Sequence, residues 1–324
     1  MSGSRYLVVG GAGFIGSHLV ERLLSEPAAE AVTVYDNFSS GREWHLAGNH
    51  GSSRLRVARG DVGDLARLVS AMRGHDTVVH LASNPDIARA SVEPAIDFDG
   101  GTLLTHHVVE AARVTGVRRI LYASGSGVYG DLGETVARED SGPLNPISTY
   151  GASKLAGEAL ICSYCHLFGL SACVFRLGNV VGPRQTHGVG FDFLRHLLAR
   201  PGRLTILGDG AQSKSYVHVG DVVDAVLLAA ARAAEPFRAF NVATGDYVTV
   251  REIAELAVEC LGLPVADTTF SFTGGDRGWK GDVPVVRLDT SRIRSLGWSN
   301  TMSSKEALRA SMRAMLPDAA AGRL

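Results

Sequence analysis

Cysteine is scarce, at four in 324 residues, which is too few for the disulfide framework of a small secreted domain. Net charge is nearly absent: 32 basic against 33 acidic side chains leave −1. There is therefore no basic field to hold a nucleic acid backbone and no polybasic patch for a membrane surface. No uncharged apolar run approaches the roughly 18 residues of a membrane span. Glycines inside the apolar stretch from Tyr6 to Gly16 would break a signal peptide, and a cytoplasmic protein is expected. Repeats and low-complexity tracts are missing too, which removes collagen, coiled coil and disorder. The chain is instead 45% hydrophobic with 38 glycines, a globular composition with many tight turns, and its expected partner is a small molecule.

The length is about twice that of one ~150-residue domain. Short β-branched runs at Tyr6–Val9, Val32–Tyr35, Leu55–Ala58, Thr77–Leu81, Arg119–Ala123 and Ala172–Leu177 read as strands. Between them, Phe14–Ser25, Leu65–Met72, Gly101–Thr115 and Tyr150–Phe168 carry apolar residues at three- and four-residue spacing and read as helices. This alternation predicts an α/β fold, a doubly wound parallel Rossmann sheet over residues 1–178. Residues 179–324 are expected to form a smaller C-terminal substrate-binding α/β lobe, with part of 215–245 returning to the first domain. There, Asn179–Leu207 reads as Gly/Pro turns, Val222–Ala234, Arg251–Leu261 and Lys305–Met315 as helices, Phe240–Val242 as a strand and Phe270–Asp282 as a Gly-rich loop.

Directly after the first strand comes Gly10-Gly11-Ala12-Gly13-Phe14-Ile15-Gly16. Glycines here close the turn, admit a pyrophosphate to the backbone and let the following helix pack on the strand, while that helix offers its free N–H groups to phosphate. Asp36 lies 20 residues beyond Gly16 at the end of the second strand, where a carboxylate accepts hydrogen bonds from ribose hydroxyls and repels a 2′-phosphate. NAD is therefore the expected cofactor in preference to NADP. Asp61-Val62 after the third strand suits an adenine amino group, or Asp61 simply caps a loop.

Tyr150-Gly151-Ala152-Ser153-Lys154 places a phenol and an ammonium four residues apart on one helix face. A neighbouring ammonium and an oxidised nicotinamide ring would lower the phenol pKa enough for it to act as a base.

These motifs, with His80-Leu81-Ala82-Ser83, Gly127-Val128-Tyr129-Gly130, Arg176-Leu177-Gly178-Asn179, Ser215-Tyr216-Val217-His218 and Phe240-Asn241-Val242, carry a resemblance over essentially the whole chain. The sequence resembles the extended short-chain dehydrogenase/reductases and, more narrowly, the NAD-dependent nucleotide-sugar 4-epimerases typified by UDP-galactose 4-epimerase. The resemblance implies that Tyr150 is the base and that Lys154 holds the nicotinamide ribose. It also implies that Gly10, Gly13, Phe14, Ile15, Gly16, Asp36, Asn37, Asp61, Val62, Leu81, Ala82 and Ser83 line the cofactor. Asn179, Lys214 and Arg277 are implied around the nucleotide diphosphate, where Arg277 could offer a bidentate fork or be a surface arginine. A homodimer packed through the Gly101–Thr115 and Tyr150–Phe168 helices is expected, the latter presenting Leu155, Ala159, Cys162 and His166 on one side.

Three departures from the family pattern stand out. Gly125 occupies the slot of the usual catalytic Ser or Thr, Asp99 stands where an Asn is usual, which puts a carboxylate near the nicotinamide site or simply at a helix start, and Leu177 replaces an aromatic residue. In an extended strand Ser124 and Ser126 point away from the face of residue 125, but the glycines at 125 and 127 permit a bend. Ser126 is therefore expected to hold the O4 or O6 hydroxyl of the sugar, directly or through a water, and Ser124 to be a structural residue at the strand end.

Other features carry less. Cys162-Ser163-Tyr164-Cys165-His166 matches a haem-attachment pattern, but it continues the Tyr150 helix, where cysteine packs as a small apolar residue. The histidines have no ligand spacing with the cysteines, so no metal is expected, and His80 reads as a strand-end residue satisfied by backbone. Glu110, Glu158 and Glu252 read as solvated or weakly paired helix carboxylates. The expected function is NAD-dependent 4-epimerisation of a UDP-glucose/UDP-galactose-type nucleotide sugar through a transient 4-keto intermediate. The alternatives are a UDP-hexuronate or UDP-N-acetylhexosamine epimerase, a nucleotide-sugar dehydratase or decarboxylase, or a non-catalytic NAD-binding sensor.

Overall fold

A computed structural model describes residues 4–84 and 89–322. In chain order its first part holds β1 (Ser4–Val9), α1 (Phe14–Ser25), β2 (Ala29–Asp36), β3 (Leu55–Arg59), α2 (Leu65–Met72), β4 (Thr77–His80), α3 (Ala95–Asp97), α4 (Leu103–Thr115), β5 (Arg119–Gly125), α5 (Thr149–Phe168) and β6 (Ser171–Leu177). There follow β7 (Asn179–Val181), α6 (Val189–Ala199), β8 (Arg203–Ile206), β9 (Ser213–Lys214), β10 (Tyr216–His218), α7 (Val219–Arg232) and β11 (Phe237–Val242). The last elements are β12 (Val248–Thr249), α8 (Val250–Cys260), β13 (Thr269–Phe272), α9 (Ser291–Ser295) and α10 (Ser304–Ala320). Two compact units result, one of Met1–Val128, Thr149–Arg176 and Val223–Phe240, the other of Tyr129–Ser148, Leu177–Val222 and Asn241–Leu324.

The first unit is built on a seven-stranded sheet of order β11-β6-β5-β4-β1-β2-β3. The pairs β1–β2, β1–β4, β2–β3 and β4–β5 are parallel, and the order reverses beside β1 as in a doubly wound nucleotide-binding fold. Consecutive Leu7, Val8 and Val9 are all fully buried, because helices cover both faces and no strand alternates with solvent. Leu7, Leu68, Val78, Val109, Ile120 and Ile161 share one core cluster, each large side chain contributing about 1.5–3 kcal/mol by its burial. Register matters for the site: β4 ends with His80 opposite Tyr122 of β5, and β5 runs on to Gly125.

The second unit has its own core, with Phe193, Leu194, Ile206, Ile253, Leu308 and Met312 in contact. Thr249 with Glu252, and Ser303 with Glu306, form capping boxes that start α8 and α10, satisfying N-terminal N–H groups that would otherwise lack partners. Asn241 is fully buried. Its Nδ2 donates to the carbonyls of Ala137 and Asp289 at 3.0 and 2.9 Å, and its Oδ1 accepts from the Tyr129 hydroxyl at 2.7 Å.

Several elements differ from the sequence reading. The helix expected from Gly101 begins at Leu103, because Phe98–Thr102 winds as a π-turn. The segment read as Gly/Pro turns contains α6, whose Phe191, Phe193, Leu194 and Leu197 are buried; Gly188 and Gly190 obscure an otherwise helical spacing. The expected Gly-rich loop opens with β13, which pairs with β8 through Phe270 and Phe272. All four cysteines are free, and Cys165 lies in the core. Among the described residues no helix is long and apolar enough to cross a membrane.

Candidate active site

At the end of β1 the Gly10 N–H donates to the Tyr35 carbonyl, and the chain turns with Gly10 at φ +81°. A Cβ on Gly16 would lie 2.3 Å from the Gly10 carbonyl oxygen, so only glycine lets α1 start this close to β1. No side chain caps α1, whose N-cap is Gly13, and Phe14 and Ile15 occupy its first turn. That arrangement suits an anionic group placed over the helix N-terminus.

Asp36 ends β2 and is 7% exposed. Its Oδ2 accepts from Ala12 N at 2.9 Å and its Oδ1 from Phe38 N at 2.8 Å, which binds the glycine turn to the strand and leaves each oxygen a lone pair for a hydroxyl donor. Burial raises its pKa, against the pull of those two amides and of Arg59. Asn37 Nδ2 donates to Asp61 Oδ2 at 2.8 Å, and Gly63 N donates to Asp61 Oδ1 at 2.7 Å, so Asp61 caps its own turn, beside a buried Val62. The glycine turn and the buried Asp36 carboxylate fit a dinucleotide.

Lys154 and Tyr150 share one face of α5. Lys154 is 5% exposed. Its Nζ donates to the Ala123 carbonyl at 2.8 Å and stands 5.5 Å from the Tyr150 ring centroid. Burial lowers the Lys154 pKa to about 8, opposed by the carboxylates of Glu158 and Asp97. For Tyr150, burial first and the Asp97 carboxylate second push the phenol up to about 12, while a hydrogen bond with Ser83 lowers it. The protein groups alone therefore do not lower the phenol, and the expected lowering calls on the oxidised nicotinamide ring as well.

The carboxylate near Tyr150 is Asp97 and not Asp99. Asp97 is buried, whereas Asp99 is exposed in the π-turn. Asn84 Nδ2 donates to Asp97 Oδ1 at 2.8 Å and Thr149 Oγ1 donates to Asp97 Oδ2 at 2.7 Å. Glu158 also overturns the sequence reading, being buried with Arg176 in a forked ion pair. Arg176 Nη2 donates to Oε2 at 2.7 Å and Nε to Oε1 at 3.1 Å. Ser124 Oγ donates to the same Oε1 at 2.6 Å, which ties the end of β5 to α5. His80 differs as well: its Nε2 pairs with the Thr105 hydroxyl at 3.0 Å, not with backbone, and its buried Nδ1 has no partner among the described residues. Burial drops its pKa to about 3, helped by Lys154.

Gly125 closes β5, and Ser126 opens a 3-10 turn to Tyr129. Leu81, Ala82 and Ser83 follow β4, with Leu81 N and Ala82 N both donating to the Val9 carbonyl. In the second unit, Asn179 opens β7 and its Nδ2 donates to the Ser215 carbonyl at 3.4 Å. Lys214 Nζ meets Asp282 Oδ1 at 2.6 Å. Arg277 Nη2 meets Asp131 Oδ2 at 2.6 Å while its Nη1 donates to the Asp282 carbonyl, so both cations hold acidic partners. Sequence reasoning passed over Asp97, Asn84, Thr149 and Arg176. Only Glu158 had a signal, four residues beyond Lys154 on the same helix face.

The model of the NAD dependent epimerase/dehydratase family matches residues 6–243. The chain belongs to this family. Its cofactor is NAD. Among family relatives, the UDP-glucose 4-epimerase of Mycolicibacterium smegmatis is 36% identical over 313 residues, 94% of this chain and 96% of that protein. A crystal structure of UDP-galactose 4-epimerase superposes with a TM-score of 0.86 at 36% identity, covering 97% of this chain and 99% of the other. The dTDP-glucose 4,6-dehydratase of Streptomyces venezuelae, solved with NAD bound, superposes at 0.89 and 30% identity over 98% of each chain. The chain is thus an enzyme of the UDP-sugar 4-epimerase and dehydratase class.

Proposed function

We propose that this enzyme inverts C4 of a nucleotide-diphosphate hexose of the UDP-glucose/UDP-galactose type. Likeness to both epimerases and a dehydratase leaves the reaction to be decided by the acids. A 4,6-dehydration needs a carboxyl group after the fifth strand to protonate the leaving hydroxyl. From Ser124 to Gly130 there is none, and the first acid, Asp131, is engaged by Arg277. That observation carries the epimerase reading.

When bound, NAD supplies hydride acceptance from C4 and its return to the opposite face. Tyr150 takes the O4 proton and gives it back, while Lys154, anchored on the Ala123 carbonyl, holds the nicotinamide ribose and keeps a positive charge beside the phenol. Asp36 reads the adenosine ribose, and Asn37, Asp61, Val62, Leu81 and Ala82 line the cofactor. Asn179, Lys214 and Arg277 serve the diphosphate, with Lys214 and Arg277 turning from Asp282 and Asp131 to do so. Ser126 holds a sugar hydroxyl.

Incubating the purified protein with UDP-glucose, UDP-galactose, their N-acetylhexosamine and hexuronate counterparts and dTDP-glucose decides the matter. A 4-epimer of a UDP-hexose is expected. A 4-keto-6-deoxy product, or none from any substrate, overturns the reading.

A further inference from the structure

The end of β5 has no hydroxyl at position 125, although nothing among the described residues demands glycine there. Gly125 does not adopt a left-handed backbone, and among the described residues a Cβ built on it would find only Tyr150 Cε1, at 3.9 Å. The space beside the base is therefore open, and a hydroxyl for the phenol has to come from elsewhere.

The neighbouring strand supplies one. β4 and β5 are paired in register with His80 opposite Tyr122. Ser83 and Gly125 each lie three residues beyond that pair, Ser83 in the segment that follows β4 and Gly125 as the last residue of β5. A clamp fixes the Ser83 segment to the start of α5. The two oxygens of the buried Asp97 take Asn84 Nδ2 at 2.8 Å and Thr149 Oγ1 at 2.7 Å, and these donors are the sequence neighbours of Ser83 and Tyr150. The Asp97 clamp thus brings the Ser83 segment to Tyr150, and a hydrogen bond with Ser83 is what lowers the phenol pKa against burial and Asp97.

We propose that Ser83 is a catalytic residue, its Oγ donating a hydrogen bond to the Tyr150 oxygen in its ionised form, with Asp97 as the positioning residue that sets the two hydroxyls together. The proposal deepens the reading of Tyr150 as the base. No proton leaves Ser83; it stabilises the phenolate that accepts the substrate proton. A hydrogen bond to an ionised oxygen is among the stronger ones in a protein, and each tenfold change in phenolate stability moves its titration by about one pH unit.

The test titrates tyrosinate absorbance in the NAD-loaded protein, using Tyr150→Phe as the blank that isolates Tyr150. Ser83→Ala is expected to titrate about one pH unit or more above wild type, and Ser126→Ala to coincide with wild type. In Ser83→Ala/Gly125→Ser, the new hydroxyl grows into the open space beside the ring and should bring the titration back down. Wild-type titration by Ser83→Ala, or a second-site change that leaves the titration where Ser83→Ala puts it, overturns the proposal. Turnover of UDP-galactose is measured on the same samples, with kcat of Ser83→Ala at neutral pH expected about ten- to a hundredfold down. An absence of wild-type turnover with UDP-hexoses defeats the functional reading alone, because the titration does not depend on which sugar is the substrate.

Discussion

Glu158→Ala should be among the most damaging single substitutions in the first unit. The Glu158 and Arg176 side chains are 5% and 6% exposed, and three donors converge on the carboxylate, two from Arg176 and one from Ser124. Truncation leaves a guanidinium buried without its counter-charge and a serine hydroxyl without its acceptor. Breaking one side of a buried pair costs about 3–5 kcal/mol, a large share of the ~5–15 kcal/mol that holds a typical protein folded. Urea unfolding followed by far-UV circular dichroism measures the loss. Glu158→Leu/Arg176→Met, which removes both charges and keeps apolar volume, should recover most of it. The two variants separate stability from chemistry. Both lack a carboxylate that raises the Lys154 pKa, so in both the lysine should deprotonate below its value of about 8, and NAD affinity should fall off at lower pH than in wild type. A loss under about 1 kcal/mol for Glu158→Ala would mean that water screens the pair, and the burial argument would fail.

Tyr150→Phe should keep the fold and bound NAD while kcat falls below a tenth of wild type; higher residual turnover would place the base elsewhere. With Asp36 reading the adenosine ribose as proposed, the apoprotein should bind NAD more tightly than NADP in calorimetry, and equal affinities would refute that role. The unfolded chain protonates His80 near pH 6.5, the folded chain only near about 3. Stability should therefore rise with pH across that window by up to about 1.4 kcal/mol per pH unit from this group. Replacing His80 with Gln should flatten the slope seen in urea melts, and an unchanged slope would contradict the assignment. Val114, Leu167 and Phe168 expose half or more of their surface along α4 and α5, and light scattering should find a dimer at micromolar concentration. A monomer there would rule out pairing through these helices.

The groups proposed to hold the nucleotide are visible in sequence because they are local. A glycine turn, the carboxylate 20 residues later and a Tyr-Lys pair one helical turn apart are set by spacing alone. The groups that tune Tyr150 are not local. Asp97 reaches Thr149 across 52 residues, and an acid at the end of the three-residue α3 carries no periodic signature. Glu158 shows the limit of reading faces: its place on the Lys154 side of α5 was visible, but its burial depended on Arg176 arriving from β6. Gly188 and Gly190 hid α6 for a related reason, since packing of Phe193 and Leu194 overrides weak helix propensity.

The last strand to join the seven-stranded sheet comes from residues 237–242, long after β6, beside which it lies. A ribosome that has released only the first 178 residues has therefore made a sheet whose β6 edge is unpaired, with fully apolar Val174 and Phe175 along it. Such an edge is a template for any other extended chain. Until some sixty further residues emerge, the nascent protein depends on chaperones or on speed to keep that edge from pairing with the wrong partner. Expression fragments cut near residue 178 should inherit the same exposed edge permanently.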